Sequence, residues 1–273
     1  MQDQAPSARA RFLASLIEAE GVPYGREDSF KMSSAGLVTQ RFLLGVPLQG
    51  ISPPRLAQLC VAMGMPQSCQ ASFQRHLADA NLVFFGLEED GDRSVYKVYL
   101  EFWDSVRQQV LRSRQRDPLL LHLGFKWPAD GDGKDARTAR YTCFPLLSVA
   151  DILDRLAALY ANGRASEAHA AASAIIQRAA AANPAAAFLY VEVGEEGNPR
   201  RSFDVNVYKA GLCVADIEAP LHRLAQHYRL QADRFQAWLG QVAARPLGHL
   251  AGGIDKAGED FMTIYFETRA ING

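Results

Sequence analysis

A unit of two strands joined by a tight turn recurs along this chain, and helical segments separate most of its copies. The paired strands of four clear copies are 82–88 and 94–102, 119–127 and 137–144, 187–194 and 201–208, and 248–255 and 260–267. A weaker copy covers 27–33 and 37–44. Asp90 and Gly91 show the type of turn involved, since Asp-Gly between alternating strands is a strong hairpin signal. The repeat predicts about ten antiparallel strands.

The two faces of these strands differ in polarity. In VYKVYLEF, Tyr96, Val98 and Leu100 alternate with Lys97 and Tyr99. Because side chains alternate across a strand, the apolar set can pack on helices while the polar set faces the other way. An open sheet of ten strands would be unusually wide and would leave two edges exposed, whereas closure removes both edges. The sequence therefore predicts an α+β fold, a closed barrel of about ten antiparallel strands ringed by α-helices, with a polar interior.

Size and composition exclude several classes of protein. The 273 residues contain no linker rich in Pro, Gly or Ser, so the sequence predicts a single domain that spans residues 1–273. A formal net charge of -1 gives no overall basic field, so we expect no nucleic-acid partner. The chain shows neither a signal-peptide pattern nor an apolar run of about 18 residues, so we expect no membrane partner and a cytoplasmic location. The four cysteines lack paired or zinc-type spacing, which predicts reduced thiols and no protein-held metal.

Several strands carry cationic side chains on the face expected to point inward. These cations are Lys31, Arg41, Lys97, Lys126 and Arg140. Cations in a partly dry enclosure need anionic partners, and a ligand with two or more phosphates would supply them. For any one of these residues, a solvated sheet face is the alternative. We interpret the acidic runs at 88–90 and 195–196 as solvated turn residues.

The order of hairpins and helices resembles that of the ABBA aromatic prenyltransferases, and more closely the peptide-modifying prenyltransferases of cyanobactin biosynthesis. Residues 27–44, EDSFKMSSAGLVTQRFLL, are similar to that family's Glu-x-x-x-Lys strand and the following Arg strand, and they match Glu27, Lys31 and Arg41 to family positions. SVYKVYLEF resembles the strand with an inward lysine, here Lys97. LHLGFKW resembles the family's Ile-Gly-Phe strand.

The resemblance implies transfer of a prenyl group from an allylic diphosphate to a side chain of a cyclic ribosomal peptide. The five inward cations would stabilise the leaving diphosphate, and Glu27 would take the acceptor's proton, with Lys31 keeping it ionised. Aromatic faces would shield the carbocation from water. The candidates for this shield are Tyr99, Tyr190, Tyr208 and Tyr265, with Tyr141 as a replacement for one of them.

Mg²⁺ is expected to accompany the diphosphate. The sequence has no DDxxD-like pair of carboxylates, so the ion would bind through the substrate. Phe188 and Tyr190 add bulk to one strand near the expected prenyl tail, which favours a five-carbon dimethylallyl donor.

Other functions fit the same pattern. One alternative is a small-molecule prenyltransferase acting on an indole or phenol. A second is a non-catalytic binder of an anionic diphosphate ligand, and a third is a structural α+β protein with a solvated sheet face. A buried carboxylate at Glu27 beside phosphate-binding cations would favour an enzyme over a binder.

Overall fold

The computed structural model describes residues 5–113, 117–131, 133–161 and 166–271. Eleven strands in these ranges form one antiparallel sheet. In chain order the strands are β1 Tyr24–Ser33, β2 Gly36–Val38, β3 Gln40–Pro47, β4 Leu82–Asp90, β5 Arg93–Glu101, β6 Leu119–Pro128, β7 Arg137–Phe144, β8 Leu189–Glu195, β9 Asn198–Asn206, β10 Leu247–Ile254 and β11 Asp260–Ile271.

Pairing between the first and last strands closes the sheet. From β3 to β11 each strand pairs with its neighbours in sequence, β3 also pairs with β1, and the three-residue β2 extends the far end of β1. β1 then pairs antiparallel with β11, from Tyr24 opposite Ile271 to Ser33 opposite Phe261. The predicted closed barrel of ten long antiparallel strands is confirmed.

Helices cover the outside of the barrel. They are α1 Ala8–Glu18, α2 Pro53–Ala62, α3 Gln67–Leu77, α4 Trp103–Ser113, α5 Val149–Tyr160, α6 Glu167–Ala182, α7 Glu218–His227 and α8 Ala232–Val242. Ser148 and Asp151 start α5 with a reciprocal capping box, as the sequence predicts. Within the described residues, no helix has both the length and the hydropathy to cross a membrane.

The hydrophobic core lies between the barrel and the helices. One cluster joins outward strand residues to the α5–α8 side and includes Phe30, Val205, Ile264 and Ile175. The other joins strand residues to α2 and α3 and includes Phe85, Val98, Phe125 and Phe73. Burying each such side chain contributes about 1.5–3 kcal/mol. Because these residues point outward, their neighbours in sequence point into the barrel.

Candidate active site

Among the described residues, the barrel interior has a cavity at each end. A cavity of about 620 Å³ lies where hairpin turns connect the strands, and we call it the cationic cavity. A second cavity of about 740 Å³ lies at the end where helices connect the hairpins, and we call it the apolar cavity. Both are lined by Tyr99, Tyr141, Asp204 and Tyr265. These four residues therefore form the boundary between the two ends of the lumen.

Four of the five predicted phosphate-binding cations meet in the cationic cavity. They are Lys31 from β1, Arg41 from β3, Lys97 from β5 and Lys126 from β6. Lys97 and Lys126 lie directly opposite each other in the register of β5 and β6. Side chains from separate hairpins thus converge on one enclosed space, as closure of the barrel requires.

Glu88 occupies the middle of this cationic group, although we expected it to be solvated. Its Oε2 accepts hydrogen bonds from Arg41 Nε at 3.0 Å and from Lys97 Nζ. β4 continues to Asp90 and pairs with β5 up to Arg93, so strand alternation turns Glu88 inward. Although burial opposes its ionisation, Arg41 and Lys97 hold the pKa of Glu88 well below its usual range. The interpretation of this run as solvated is therefore wrong for Glu88, whereas Asp90 at the turn is exposed as predicted.

Lys97 has a strongly altered ionisation. Burial lowers its pKa to about 7, with Arg41 and Lys126 adding to the effect and Glu88 opposing it. Lys126 Nζ in turn donates to Glu195 Oε1 at 3.3 Å. Glu195 is itself buried, so the interpretation of the second acidic run as solvated is wrong for Glu195, whereas Glu196 is exposed as predicted. The cations are therefore held in place by internal carboxylates.

Three tyrosines on the boundary form what we call the tyrosine layer, namely Tyr99, Tyr141 and Tyr265. The Tyr99 and Tyr141 rings meet edge to face with centroids 5.6 Å apart. The Arg41 guanidinium lies 6.0 Å from the Tyr265 ring centroid, and Lys126 Nζ lies 5.9 Å from that of Tyr141. Burial, with Tyr141 and Tyr265 nearby, raises the pKa of Tyr99 well above its ordinary value, so it remains a neutral phenol.

Gly124 makes room for this layer. It lies opposite Tyr99 in the β5–β6 pairing, and a Cβ added at Gly124 would lie 2.7 Å from Tyr99 Cδ1. The same added atom would lie 3.2 Å from Tyr141. The glycine in LHLGFKW therefore allows two aromatic rings to cross the lumen at this level.

Glu27 lies in the apolar cavity. Its carboxylate accepts a hydrogen bond from the Tyr208 hydroxyl and lies 3.1 Å from His249 Nε2. Although burial opposes ionisation, the charge and hydrogen bond of His249, together with Tyr208, lower the pKa of Glu27 below its ordinary value. Lys31, which we expected to keep Glu27 ionised, lines the cationic cavity. The cation bonded to Glu27 is His249.

His249 is a functional candidate that the sequence reasoning missed. Its Nδ1 lies 2.8 Å from Asp204 Oδ2, and its ring stacks on Tyr265 with centroids 3.9 Å apart and planes 9° from parallel. Although burial opposes protonation, Asp204 and Glu27 raise its pKa well above the usual value. Alternation along LGHLAGGI places His249 on the same face as Ala251, which lines the cationic cavity, so the sequence could have grouped these two residues but not shown the partners of His249.

Two predicted site residues lie elsewhere. Arg140 is exposed on the outside of β7, because the inward face of that strand consists of Ala139, Tyr141 and Cys143. Tyr190 is fully buried on the outer face of β8, where its ring lies 5.9 Å from that of Phe144. Their assignment to the interior was wrong, since the polar residues of TARYTCF face solvent and the aromatic residue of β8 faces the helices.

The other predicted aromatic residues do line the lumen. Tyr208 follows the end of β9 in a short 3₁₀ helix and still reaches the apolar cavity, while Tyr99 and Tyr265 belong to the tyrosine layer. Phe188 is buried with Tyr190 in the cluster outside the barrel, so the argument for donor length that used these two residues fails.

The described residues include no cluster of three or more His, Cys, Asp or Glu that would hold a metal ion. The acidic side chains of the lumen are instead engaged by cations and by histidines. Glu101, for example, lies 3.1 Å from His122 Nε2. These residues do not fit a metal held by the protein alone.

Comparison with known proteins identifies the fold. No protein-family model and no curated sequence matches the chain. Among solved structures, apo PriB prenyltransferase is similar with a TM-score of 0.57 and 13% identity, over 89% of this chain and 79% of that one. The 6-dimethylallyl tryptophan synthase has a TM-score of 0.55 and 16% identity. NotF prenyltransferase has a TM-score of 0.54 and 13% identity. Each of these two comparisons covers 89% of this chain and 80% of the other chain.

Two of these relatives have been solved with ligands. PriB was determined as a binary complex with product diphosphate, at a TM-score of 0.52 to this chain. NotF was determined with brevianamide F and DMSPP, at a TM-score of 0.54. At this level of identity the similarity is one of fold, and the barrel is that of the ABBA prenyltransferases.

Proposed function

We propose that this chain transfers a dimethylallyl group from its diphosphate to an aromatic acceptor. One observation carries the proposal. Arg41 and Lys97 lie at one end of a closed lumen, Glu27 lies at the other, and the tyrosine layer lies between them. Diphosphate binding, cation shielding and proton removal thus have separate places along one axis.

The donor's diphosphate would bind in the cationic cavity. Lys31, Arg41, Lys97 and Lys126 provide positive charge there, and arginine and lysine suit phosphate oxygens. Mg²⁺ would bind through the diphosphate oxygens, because the described side chains offer no carboxylate cluster for it. The same cations would stabilise the charge that develops on the leaving group.

The reaction breaks the bond between the allylic carbon and the diphosphate oxygen, and the electron pair leaves with pyrophosphate. The faces of Tyr99, Tyr141 and Tyr265 would stabilise the allylic cation, since aromatic rings attract positive charge. A carbon, nitrogen or oxygen atom of the acceptor then forms the new bond to the allylic carbon. Its proton goes to Glu27, which is ionised and faces the apolar cavity.

For the acceptor we propose an aromatic side chain of a short peptide. The resemblance of residues 27–44 to peptide-modifying enzymes supports it, as does Trp103, which lines the apolar cavity and is 42% exposed. Trp103 could contact peptide groups outside the cavity. A free indole compound is the second candidate, favoured by the names of the similar solved structures, which include a 6-dimethylallyl tryptophan synthase and a complex with brevianamide F. The choice of a dimethylallyl donor is supported by the name of the 6-dimethylallyl tryptophan synthase.

A transfer assay tests this proposal. The protein is mixed with Mg²⁺, dimethylallyl or geranyl diphosphate, and a panel of linear and cyclic peptides containing Trp or Tyr, together with free tryptophan and indole. We expect one acceptor class to gain a C5H8 unit by mass spectrometry. Tight binding of inorganic pyrophosphate without transfer to any acceptor would instead indicate a non-catalytic binder.

A matched pair of variants assigns the base. Glu27→Gln should lower transfer by about 10²–10⁴-fold, the usual contribution of a general base, while inorganic pyrophosphate still binds. Glu218→Gln, on the outer helix α7, makes the same chemical change away from the lumen and should retain transfer. Full activity of Glu27→Gln would remove Glu27 from the mechanism.

A further inference from the structure

Three side chains form a continuous line of charged contacts beside the tyrosine layer. Asp204 from β9 lines both cavities, whereas His249 from β10 and Glu27 from β1 line the apolar cavity. His249 lies between the two carboxylates, 2.8 Å from Asp204 and 3.1 Å from Glu27. Stacking on Tyr265 fixes the plane of the imidazole ring so that both nitrogens face a carboxylate.

We propose that His249 is a positioning residue for Glu27, donating from both ring nitrogens so that Glu27 remains a carboxylate aimed into the apolar cavity. This inference rests on the proposed function, in which Glu27 accepts the proton of the acceptor. In this arrangement, His249 contacts no substrate atom and acts through Glu27.

Without this histidine, the surroundings of Glu27 would favour its protonated form. Only 12% of the Glu27 side chain is exposed, and a second carboxylate, Asp204, lies on the other side of the imidazole ring. Burial and a nearby like charge both raise the pKa of a carboxyl group. A protonated Glu27 could not accept a proton, so the base would be lost near neutral pH.

The other groups around this site do not supply the same charge. Tyr208, just after β9, donates a neutral hydrogen bond to Glu27, and burial raises the pKa of Tyr208. Tyr265 from β11 presents its ring face to the imidazole. His122 from β6 also lowers the pKa of Glu27, but it is bonded to Glu101. His249 is the cation that touches Glu27 directly.

The charge balance makes His249 a fixed cation rather than a proton carrier. Before transfer the Asp204–His249–Glu27 group has two carboxylates and one imidazolium, a net charge of one negative unit. When Glu27 takes the acceptor's proton, the group becomes neutral and His249 keeps both of its protons. The proton then leaves Glu27 to solvent through the apolar cavity after product release.

The first test reads the imidazole directly and does not depend on activity. The full-length protein is labelled with ¹⁵N-histidine, and His249→Gln assigns the His249 signal. We expect both ring nitrogens of His249 to be protonated at pH 8, about one and a half units above the ordinary histidine pKa. A neutral imidazole at that pH would overturn the proposal even if the protein transfers prenyl groups.

The second test follows kcat/KM against pH. In His249→Gln the acidic limb of the kcat/KM profile should move to higher pH by about one unit or more. At a fixed pH on that limb, kcat/KM should fall about tenfold. At higher pH the activity should recover. Binding of inorganic pyrophosphate, at the other end of the lumen, should not change. His222→Gln, on α7 and bonded to Glu218, is the matched control and should follow the wild-type profile. An unshifted limb in His249→Gln would overturn the proposal.

Asp204→Asn provides the test if His249→Gln fails to fold. It keeps the size of the side chain and removes one of the two carboxylates that bind the imidazole. The imidazole signal that changes in both Glu27→Gln and Asp204→Asn is assigned to His249, which contacts both carboxylates, and in Asp204→Asn it should titrate at a lower pH than in the wild-type protein. An unchanged titration would overturn the proposal. Absence of transfer in the wild-type protein would instead count against the proposed function, because the NMR measurement does not require turnover.

Discussion

At the scale of single residues, the cationic cavity contains an anion of its own. Glu88 accepts hydrogen bonds from Arg41 and Lys97, two of the groups that would bind the donor's diphosphate. Leaving a buried cation without an anionic partner is costly. The Glu88 carboxylate supplies that partner while no phosphate is bound. Under the proposed function a diphosphate would have to compete with Glu88, and Glu88 would assist the release of pyrophosphate.

The first prediction concerns Glu88. Glu88→Gln should tighten binding of inorganic pyrophosphate at pH 6.5 on the order of tenfold, about 1.4 kcal/mol, because it removes a negative charge that repels the diphosphate. Calorimetry measures the change. Glu89→Gln is the control, since Glu89 is the next residue of β4 and bonds to Ser94 Oγ. Weaker binding in Glu88→Gln would mean that the carboxylate chiefly orients Arg41 and Lys97.

The second prediction concerns Lys97, whose pKa burial lowers to about 7. Above pH 7 the empty site holds a neutral Lys97, and an incoming anion favours its protonated form. Pyrophosphate binding at pH 8 should therefore take up a proton, and the affinity should fall as the pH rises from 7 to 9.

Calorimetry in two buffers of different ionisation enthalpy measures the proton uptake. Lys97→Met should lose it, whereas Lys134→Met, at an exposed position before β7, should retain it. Equal uptake in wild-type protein and Lys97→Met would contradict the prediction.

At the scale of elements, strand alternation predicted some strands well and others badly. β5 alternates between apolar and polar residues from Tyr96 to Glu101, so Lys97 and Tyr99 were placed correctly. In β7 both faces contain residues of mixed character, and the outer face near Arg140 is exposed. Polarity alone then does not say which face is inside, because that depends on whether a helix covers the strand.

The third prediction concerns the fit of β6 against the tyrosine layer. Gly124→Ala places a Cβ 2.7 Å from the Tyr99 ring, so it should destabilise the protein by about 1–3 kcal/mol and reduce transfer by displacing the ring. Denaturant unfolding and the transfer assay measure the two effects. At Gly194 in β8 an added Cβ meets no described heavy atom within 4 Å, and Gly194→Ala is the control. Equal stability of the two variants would refute the close fit.

At the scale of the whole molecule, closure could be predicted because an open sheet of ten strands leaves two exposed edges. The division of the lumen into two cavities could not. It depends on which side chains meet across the barrel, and Tyr141 and His249 come from strands far from each other in sequence. Sequence patterns report the face of each strand but not these contacts between strands. The partner of Glu27 was missed for this reason.

The fourth prediction follows from the two-ended lumen. Inorganic pyrophosphate and a transfer-competent aromatic acceptor should bind together, so the dissociation constant of pyrophosphate should not rise when the acceptor is saturating. Calorimetry with and without acceptor measures this. Arg41→Met should weaken pyrophosphate binding and leave acceptor binding intact, because Arg41 lines the cationic cavity and not the apolar cavity. Mutual competition would show that both ligands use one space.

Pairing of β1 with β11 also has a consequence for biosynthesis. The ribosome makes Tyr24 well before its sheet partner Ile271, because 246 residues separate β1's first residue from β11's pairing residue. Until β11 emerges, β1 has one unsatisfied edge, and so does each newly completed hairpin. Nascent chains would therefore be most prone to aggregate while β11 is still unmade, and contacts so distant in sequence slow folding. Chaperone demand should peak just before β11 emerges.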